Sequence, residues 1–247
     1  MAAHVQSVDR VFAVLECLAD GGGSLSLSEL AAQTKLPMPT IHRLARSLVD
    51  QGYVRQEVSR RYALGPRMIR LGESASRMLG SWARPYLAGL VDRWGETANM
   101  AMLEGDACSY VAQVPSPRSV RMFTEVGRQV LPHCTGVGKA ILSTLPDQEV
   151  QALLARTGMP AHTPNTLTTP EAMQEDLEAV RRRGYAVDDG EQELGVRCVA
   201  VPVRGLPFPA AVSVSGPDSR VTLEAVAQIA QDLQAVGDQL RSAFGAP

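Results

Sequence analysis

Three observations predict an α+β fold in two parts joined by a helix. The first 64 residues carry three short amphipathic helical patterns and then a basic hairpin pattern. A further helical pattern follows Gly65-Pro66. Beyond residue 80 strand patterns of period two alternate with helical ones. The expected boundaries are therefore 1–64, a linker helix over 65–80, and an antiparallel sheet flanked by helices over 81–247.

Val8, Val11, Phe12, Leu15 and Leu18 fall at helical spacing and predict one buried face, ended by the "DGGG" at 20–23. Ser26-Leu27-Ser28-Glu29 has the form of a capping box, opening a helix from Leu27 to Thr34. The prolines of "KLPMP" break that pattern and suit the first turn of a third helix, expected to reach about Gln51 and stop at Gly52. In this helix Ile41, Leu44, Ala45 and Leu48 share one side. Pro39, His42, Arg43, Arg46 and Asp50 share the other, with Thr40 and Ser47 beside them. In "YVRQEVSRRYAL" two runs, 53–56 and 61–64, flank a polar centre as in a β-hairpin. Three helices and a basic hairpin make a winged helix-turn-helix. An α-helix fills the DNA major groove, and a hairpin can follow phosphates or the minor groove. The residues expected to meet double-stranded operator DNA are Lys35, Pro39, Thr40, His42, Arg43, Arg46, Ser47, Arg60 and Arg61.

Charge supports this division. The whole chain has a formal charge of only −2, but the window 35–70 holds eight basic and two acidic residues. That asymmetry suggests that one part meets a polyanion and the other does not. No apolar run is long enough for a membrane span, and the N-terminus "MAAHVQSVDR" lacks the pattern of a signal peptide. The four cysteines, Cys17, Cys108, Cys134 and Cys198, are scattered, which suits reduced thiols in a cytoplasm.

In the linker, Met68, Leu71, Ala75 and Leu79 lie at helical spacing, and this helix is expected to pack on a partner chain. Trp82 begins another helix, with Leu87, Leu90, Val91 and Trp94 on its apolar side. "TANMAMLE", "ACSYVAQV" and "VRMFTEV" read as strands, the first two joined at Gly105-Asp106. Helices are expected at about 138–145, 147–156 and 170–183. Strands follow in "YAVDD", "VRCVAVPV" and "AAVSVSG", and a helix over about 222–243 closes the chain.

"LPHCTGVGKAIL" invites comparison with a phosphate loop. Counting back from Lys139, the first glycine of GxxxxGK[ST] would fall on His133, and Ala140 replaces the Ser or Thr that would ligate magnesium. A nucleotide site is rejected. The segment reads instead as a ligand cradle in which Gly136 and Gly138 allow close backbone approach, a helix N-terminus favours a carboxylate, and Lys139 points to solvent. Ser213 and Ser215, two apart on a strand, share a face and could donate to that carboxylate.

The order of these parts resembles the IclR-type transcriptional regulators over nearly the whole chain. The resemblance rests on "LSELAAQTKLPMPTIHRLARSLVDQGYV" and "RYALGPRMIRLG" in the first part. In the second it rests on "GETANMAML", "LPHCTGVGKAIL", "RRRGYAVDDGEQELGVRCVAVPV" and "AAVSVSGP". It implies a metabolite-responsive regulator, a repressor rather than an activator, that binds operator DNA as a homodimer or dimer of dimers. It also implies a GAF-like C-terminal domain that binds a small organic acid. Carried over position by position, the implied effector contacts are Met122, Thr135, Gly136, Val137, Gly138, Asp188, Cys198, Ser213 and Ser215. Val137 stands where many relatives have alanine. "GESASRMLGSWARPYL" and "GETANMAML" further resemble an actinobacterial branch linked to allantoin and glyoxylate metabolism, which suggests glyoxylate, pyruvate or a ureide-pathway acid as effector.

The competing class is a metal- or thiol-dependent enzyme, or a sensor without DNA binding. His133, Cys134, Asp188 and Cys198 are its candidates. No HExxH, CxxC or nucleophile-elbow pattern is present, and adjacent His133 and Cys134 would need a loop that turns both side chains inward. No catalysis, cofactor or metal site is expected.

Overall fold

The structure, a computed structural model, describes residues 5–122 and 124–244, with side chains for all of these except 76–79. The chain divides into two compact units, Met1–Ala75 and Ser76–Pro247.

The first unit contains α1 (Gln6–Asp20), α2 (Leu27–Thr34) and α3 (Met38–Asp50), then β1 (Val54–Gln56) paired antiparallel with β2 (Tyr62–Leu64). The capping box forms: Ser26 Oγ accepts the Glu29 N–H, and the Glu29 carboxylate accepts the Ser26 N–H at 2.7 Å. Lys35 ends α2 in the left-handed region, turning the chain toward α3. Val14, Leu18, Leu30, Ile41, Ala45 and Val54 build the core. Leu25 and Tyr62 exchange both backbone hydrogen bonds, which ties the hairpin to the turn before α2.

The face expected for α1 needs correction. Val8 and Phe12 are exposed, and the buried stripe runs through Val14, Leu15 and Leu18 with Val11 partly covered.

The linker helix forms as α4 (Arg67–Leu79), and the division between the units falls within it. Of its expected apolar face, Met68 is half-buried while Leu71 and Ala75 are exposed; the Leu79 side chain lies outside the described residues.

The second unit holds α5 (Arg84–Trp94), β3 (Thr97–Glu104), β4 (Ala107–Val114), β5 (Gln129–Val130), α6 (Gly136–Leu142), α7 (Asp147–Thr157), α8 (Pro170–Arg183), β6 (Ala186–Asp189), β7 (Val196–Val203), β8 (Ala210–Pro217) and α9 (Val226–Phe244). The sheet is antiparallel throughout, in the order β5-β4-β3-β8-β7-β6. Period-two alternation divides its side chains between two layers. Val199, Val201, Val212 and Val214 pack against Leu87 of α5 and Ile229 and Leu233 of α9. Ala101, Tyr110, Ala186, Ala200 and Ala211 face Val137 and Ile141 of α6. Small residues on this second face let α6 lie close to the sheet.

"VRMFTEV" is not a strand. Among its described residues none joins the ladder, and Phe123 lies outside them. Thr124 is held by side chains instead, donating to Asn99 Oδ1 at 2.9 Å, while its carbonyl accepts Gln113 Nε2 at 2.7 Å. Backbone hydrogen bonds to Tyr110 of β4 begin at Gly127 and Arg128, and regular pairing follows at Gln129 and Val130. Three helix starts also shift: α5 begins at Arg84, α6 at Gly136 and α9 at Val226. No helix among the described residues is long and apolar enough to cross a membrane.

Candidate nucleic-acid interface and ligand cleft

On α3 the inward positions Ile41, Ala45 and Leu48 are buried. Pro39, His42, Arg43, Arg46 and Ser47 are exposed, with Thr40 half-buried. Pro39 sits in the first turn, where its missing N–H costs no hydrogen bond. Arg60, also exposed, takes a left-handed conformation (φ 61°) at the hairpin tip. Among the described residues none of Arg43, Arg46 and Arg60 is held in an ion pair, so their charges are free for a partner. Arg61 differs. Its guanidinium donates to the Ser24 hydroxyl and carbonyl and meets Glu29 at 3.0 Å. These contacts fasten the hairpin to the start of α2.

In the second unit a narrow cleft, partly open to solvent, lies between the α6 layer of the sheet and the segment after β4. Six of the nine expected effector residues line it: Met122, Thr135, Gly136, Asp188, Cys198 and Ser215. The register explains why residues so far apart in sequence meet. Asp188 lies opposite Cys198, Cys198 opposite Ser215, and Ser215 opposite Thr97, one polar row across four strands. The remaining three lie behind the wall. Val137 is core, packed with residues such as Tyr110 and Ile141. Gly138 faces the protein itself, since a Cβ there would sit 2.3 Å from the Pro132 backbone. Ser213 lies one row deeper, opposite Asn99 and Ala200.

The cradle also behaves differently from its expected form. Gly136 accommodates Cys198, whose sulfur would be 2.8 Å from an added Cβ. The Thr135 hydroxyl is already used: it caps Gly138 N–H and donates to the Leu131 carbonyl, both at 3.2 Å. Lys139 is not in solvent. It is 1% exposed and bonds Glu191, with Asp176 at 3.1 Å. A buried ammonium requires such counter-charges. This pairing anchors the 188–192 loop to α6, and within that loop Asp188 Oδ1 accepts the Glu191 and Gln192 N–H groups.

Burial pushes the Asp188 carboxyl up to about 7, against the pull of the Glu191 N–H; the nearby Glu191 charge adds to the rise. Burial likewise pushes Cys198 up to about 11 and Cys134 up to about 12. Thiols with such values stay protonated near neutral pH and make poor nucleophiles. The Ser213 hydroxyl and Asn99 Nδ2 are buried and make no hydrogen bond of sound geometry. Each such group costs about 1–3 kcal/mol unless water or a ligand satisfies it.

Sequence reasoning missed six wall residues: Tyr110, Thr124, Arg128, Val130, Gln192 and Val196. Arg128, exposed at the rim, is the only basic side chain on this wall among the described residues. Its position just before the β5 pairing was concealed by reading 120–126 as a strand.

An exposed basic recognition helix with a wing, followed by a sheet domain whose cleft is crossed by a polar row, defines a DNA-binding, ligand-sensing transcription factor. The profile described as IclR helix-turn-helix domain matches residues 7–58, and that described as bacterial transcriptional regulator IclR C-terminal matches 75–242. The chain belongs to the IclR family of transcriptional regulators. It is 38% identical to the transcriptional repressor IclR of Escherichia coli K12, over 98% of this chain and 91% of that one. Among solved structures, a transcriptional regulator from Rhodococcus sp. RHA1 is 31% identical with a TM-score of 0.80, covering 97% of this chain and 98% of that one. An IclR homolog from Microbacterium hydrocarbonoxydans, complexed with 4-hydroxybenzoate, shares the fold at 23% identity with a TM-score of 0.81, covering 98% and 100%.

Proposed function

We propose that this protein represses transcription by binding operator DNA through α3 and the wing, and that a small carboxylate in the cleft changes its DNA affinity. The observation that carries the ligand class is the polar row Asp188–Cys198–Ser215 beneath a rim arginine, Arg128. Arg128 supplies charge to a carboxylate, the Ser215 hydroxyl donates to it, and protonated Asp188 donates to an oxo or hydroxyl oxygen. Glyoxylate, pyruvate and ureide-pathway acids fit this set, and the 4-hydroxybenzoate held by the Microbacterium homolog is also a carboxylate. Control of allantoin and glyoxylate catabolism rests on the phrases "GESASRMLGSWARPYL" and "GETANMAML". The working form is a cytoplasmic homodimer or dimer of dimers, which would cover the exposed Ile69 and Leu71 of α4.

Calorimetric titration of the full chain with glyoxylate, pyruvate, allantoate and 4-hydroxybenzoate tests the ligand class. At least one should bind, and Arg128→Ala should weaken it roughly 10-fold or more, as loss of a charged hydrogen bond does. A folded protein that binds none of them overturns the carboxylate assignment.

A further inference from the structure

We propose that His133, Cys134 and His162 form a binding site for a thiophilic divalent cation of the zinc class, beside the effector cleft and distinct from it. One ligand atom from each residue, a ring nitrogen from both histidines and the Cys134 sulfur, lies within 4.8 Å of the other two. His133 and Cys134 both lie on a 3-10 turn, Pro132–Cys134, that leads into α6. Both are fully buried, while His162 is exposed and opens the site to solvent.

The second observation is the state of the His133 ring. Its Nε2 lies 3.0 Å from the Pro160 carbonyl, which can only accept, so Nε2 carries the proton. Nδ1 is thereby left with a bare lone pair, buried and without any partner. A metal-binding histidine is typically fixed in this way, with its other nitrogen donating to a carbonyl. No apolar or hydrogen-bonding role of His133 explains this unsatisfied buried nitrogen.

The backbone around His162 is held in place. Thr166 Oγ1 accepts the His162 and Thr163 N–H groups and donates to the Glu191 carbonyl. Zinc bonds of about 2.0–2.3 Å in a tetrahedron place ligand atoms roughly 3.3–3.8 Å apart. The cluster needs a contraction on the order of 1 Å, within reach of an exposed histidine rotamer. Two imidazoles and a thiolate select zinc, cobalt or nickel over magnesium or calcium, and water completes the fourth position. On binding, the Cys134 S–H bond breaks, a metal–sulfur bond forms, and one proton leaves to solvent. The thiol's donation to Gln192 Oε1, at 2.9 Å, is then lost. Gln192 lines the effector cleft, so the ion would alter that wall.

The test uses the full chain, reduced and stripped with chelator, titrated with cobalt(II) as the optical probe. Wild type should develop a thiolate-to-cobalt charge-transfer band and visible bands of tetrahedral intensity, both bleached by one equivalent of zinc. Cys134→Ser should abolish the charge-transfer band. His162→Ala, at an exposed position that does not threaten the fold, should weaken cobalt binding by at least roughly the 10–100-fold that loss of a supporting partner costs a metal site. Cys198→Ser should retain the band. Absence of the band in folded wild type, its persistence in Cys134→Ser, unchanged cobalt affinity in His162→Ala, or its loss in Cys198→Ser would each overturn the assignment.

Discussion

Replacing Lys139 by methionine keeps an unbranched side chain of similar length and removes only the charge. The ammonium is 1% exposed and sits between Glu191 and Asp176. Asp176 retains a weaker counter-ion in Arg183, at 3.9 Å. Glu191 retains none among the described residues, and its second carboxylate oxygen is already without a partner. Breaking a buried pair from one side costs about 3–5 kcal/mol, because the remaining charge stays desolvated. For a unit of this size each kcal/mol lowers Tm by about 2–4 °C, so the expected fall is roughly 6–20 °C. The loss should depend on pH. Burial already raises the Glu191 carboxyl above its ordinary value, and Lys139 opposes that rise. Without Lys139 the folded-state value climbs further above the unfolded one. The destabilisation is then full above the folded value and fades as pH falls through it, because neutral Glu191 no longer needs a cation. Thermal unfolding of the full chain by circular dichroism at pH 5 and pH 8 reads both effects. Lys139→Met with Glu191→Leu should recover most of the lost stability, since an apolar pair can replace a buried ionic one. A Tm shift under about 2 °C, or an equal loss at both pH values, would refute the reasoning.

The other expectations concern the two binding surfaces. Carboxylate affinity should fall as pH rises through about 7, where Asp188 ionises beside the bound anion, and Asp188→Asn should flatten that profile; calorimetry across pH 6–8 reads it. Arg43→Ala should weaken specific DNA binding by about 1–3 kcal/mol and relax base preference, as loss of a base contact does. Arg60→Ala should weaken all duplexes alike and reduce the slope of log K against log salt by about 0.9. Arg61→Ala should instead lower the unfolding temperature of the first unit, because its guanidinium holds Ser24 and Glu29. Anisotropy at several salt concentrations and thermal melts separate these three.

Much of the fold was legible because local signals agreed with long-range packing. Ser26 and Glu29 announced α2, and the alternation in 97–104 and 107–114 placed β3 and β4 at their observed bounds. The pattern in 120–126 misled because Thr124 is anchored to Asn99 and Gln113, so a spacing that imitates a strand reflects side-chain attachment. Lys139 was illegible for a related reason. Its burial depends on Glu191, 52 positions away, and no local feature distinguishes it from a solvated lysine. The polar row of the cleft could be named from family phrases, but its depth could not. Only the strand register shows that Ser215 lines the wall while Ser213 lies a row deeper.

The central claim is that occupation of the cleft changes the affinity of a separate DNA-binding surface. A ligand can do this only through different affinities for the DNA-competent and incompetent states. The direct measurement is fluorescence anisotropy of the full chain on a duplex that it has itself selected from random sequence, with and without glyoxylate, pyruvate or 4-hydroxybenzoate. Wild type should change its DNA affinity with at least one acid. Ser213→Ala with Ser215→Ala should bind the duplex with near wild-type affinity and melt normally, yet no longer respond at the same acid concentration. A stable double variant that responds like wild type, or a wild type whose DNA affinity is unchanged by an acid that calorimetry shows to bind, would contradict the account.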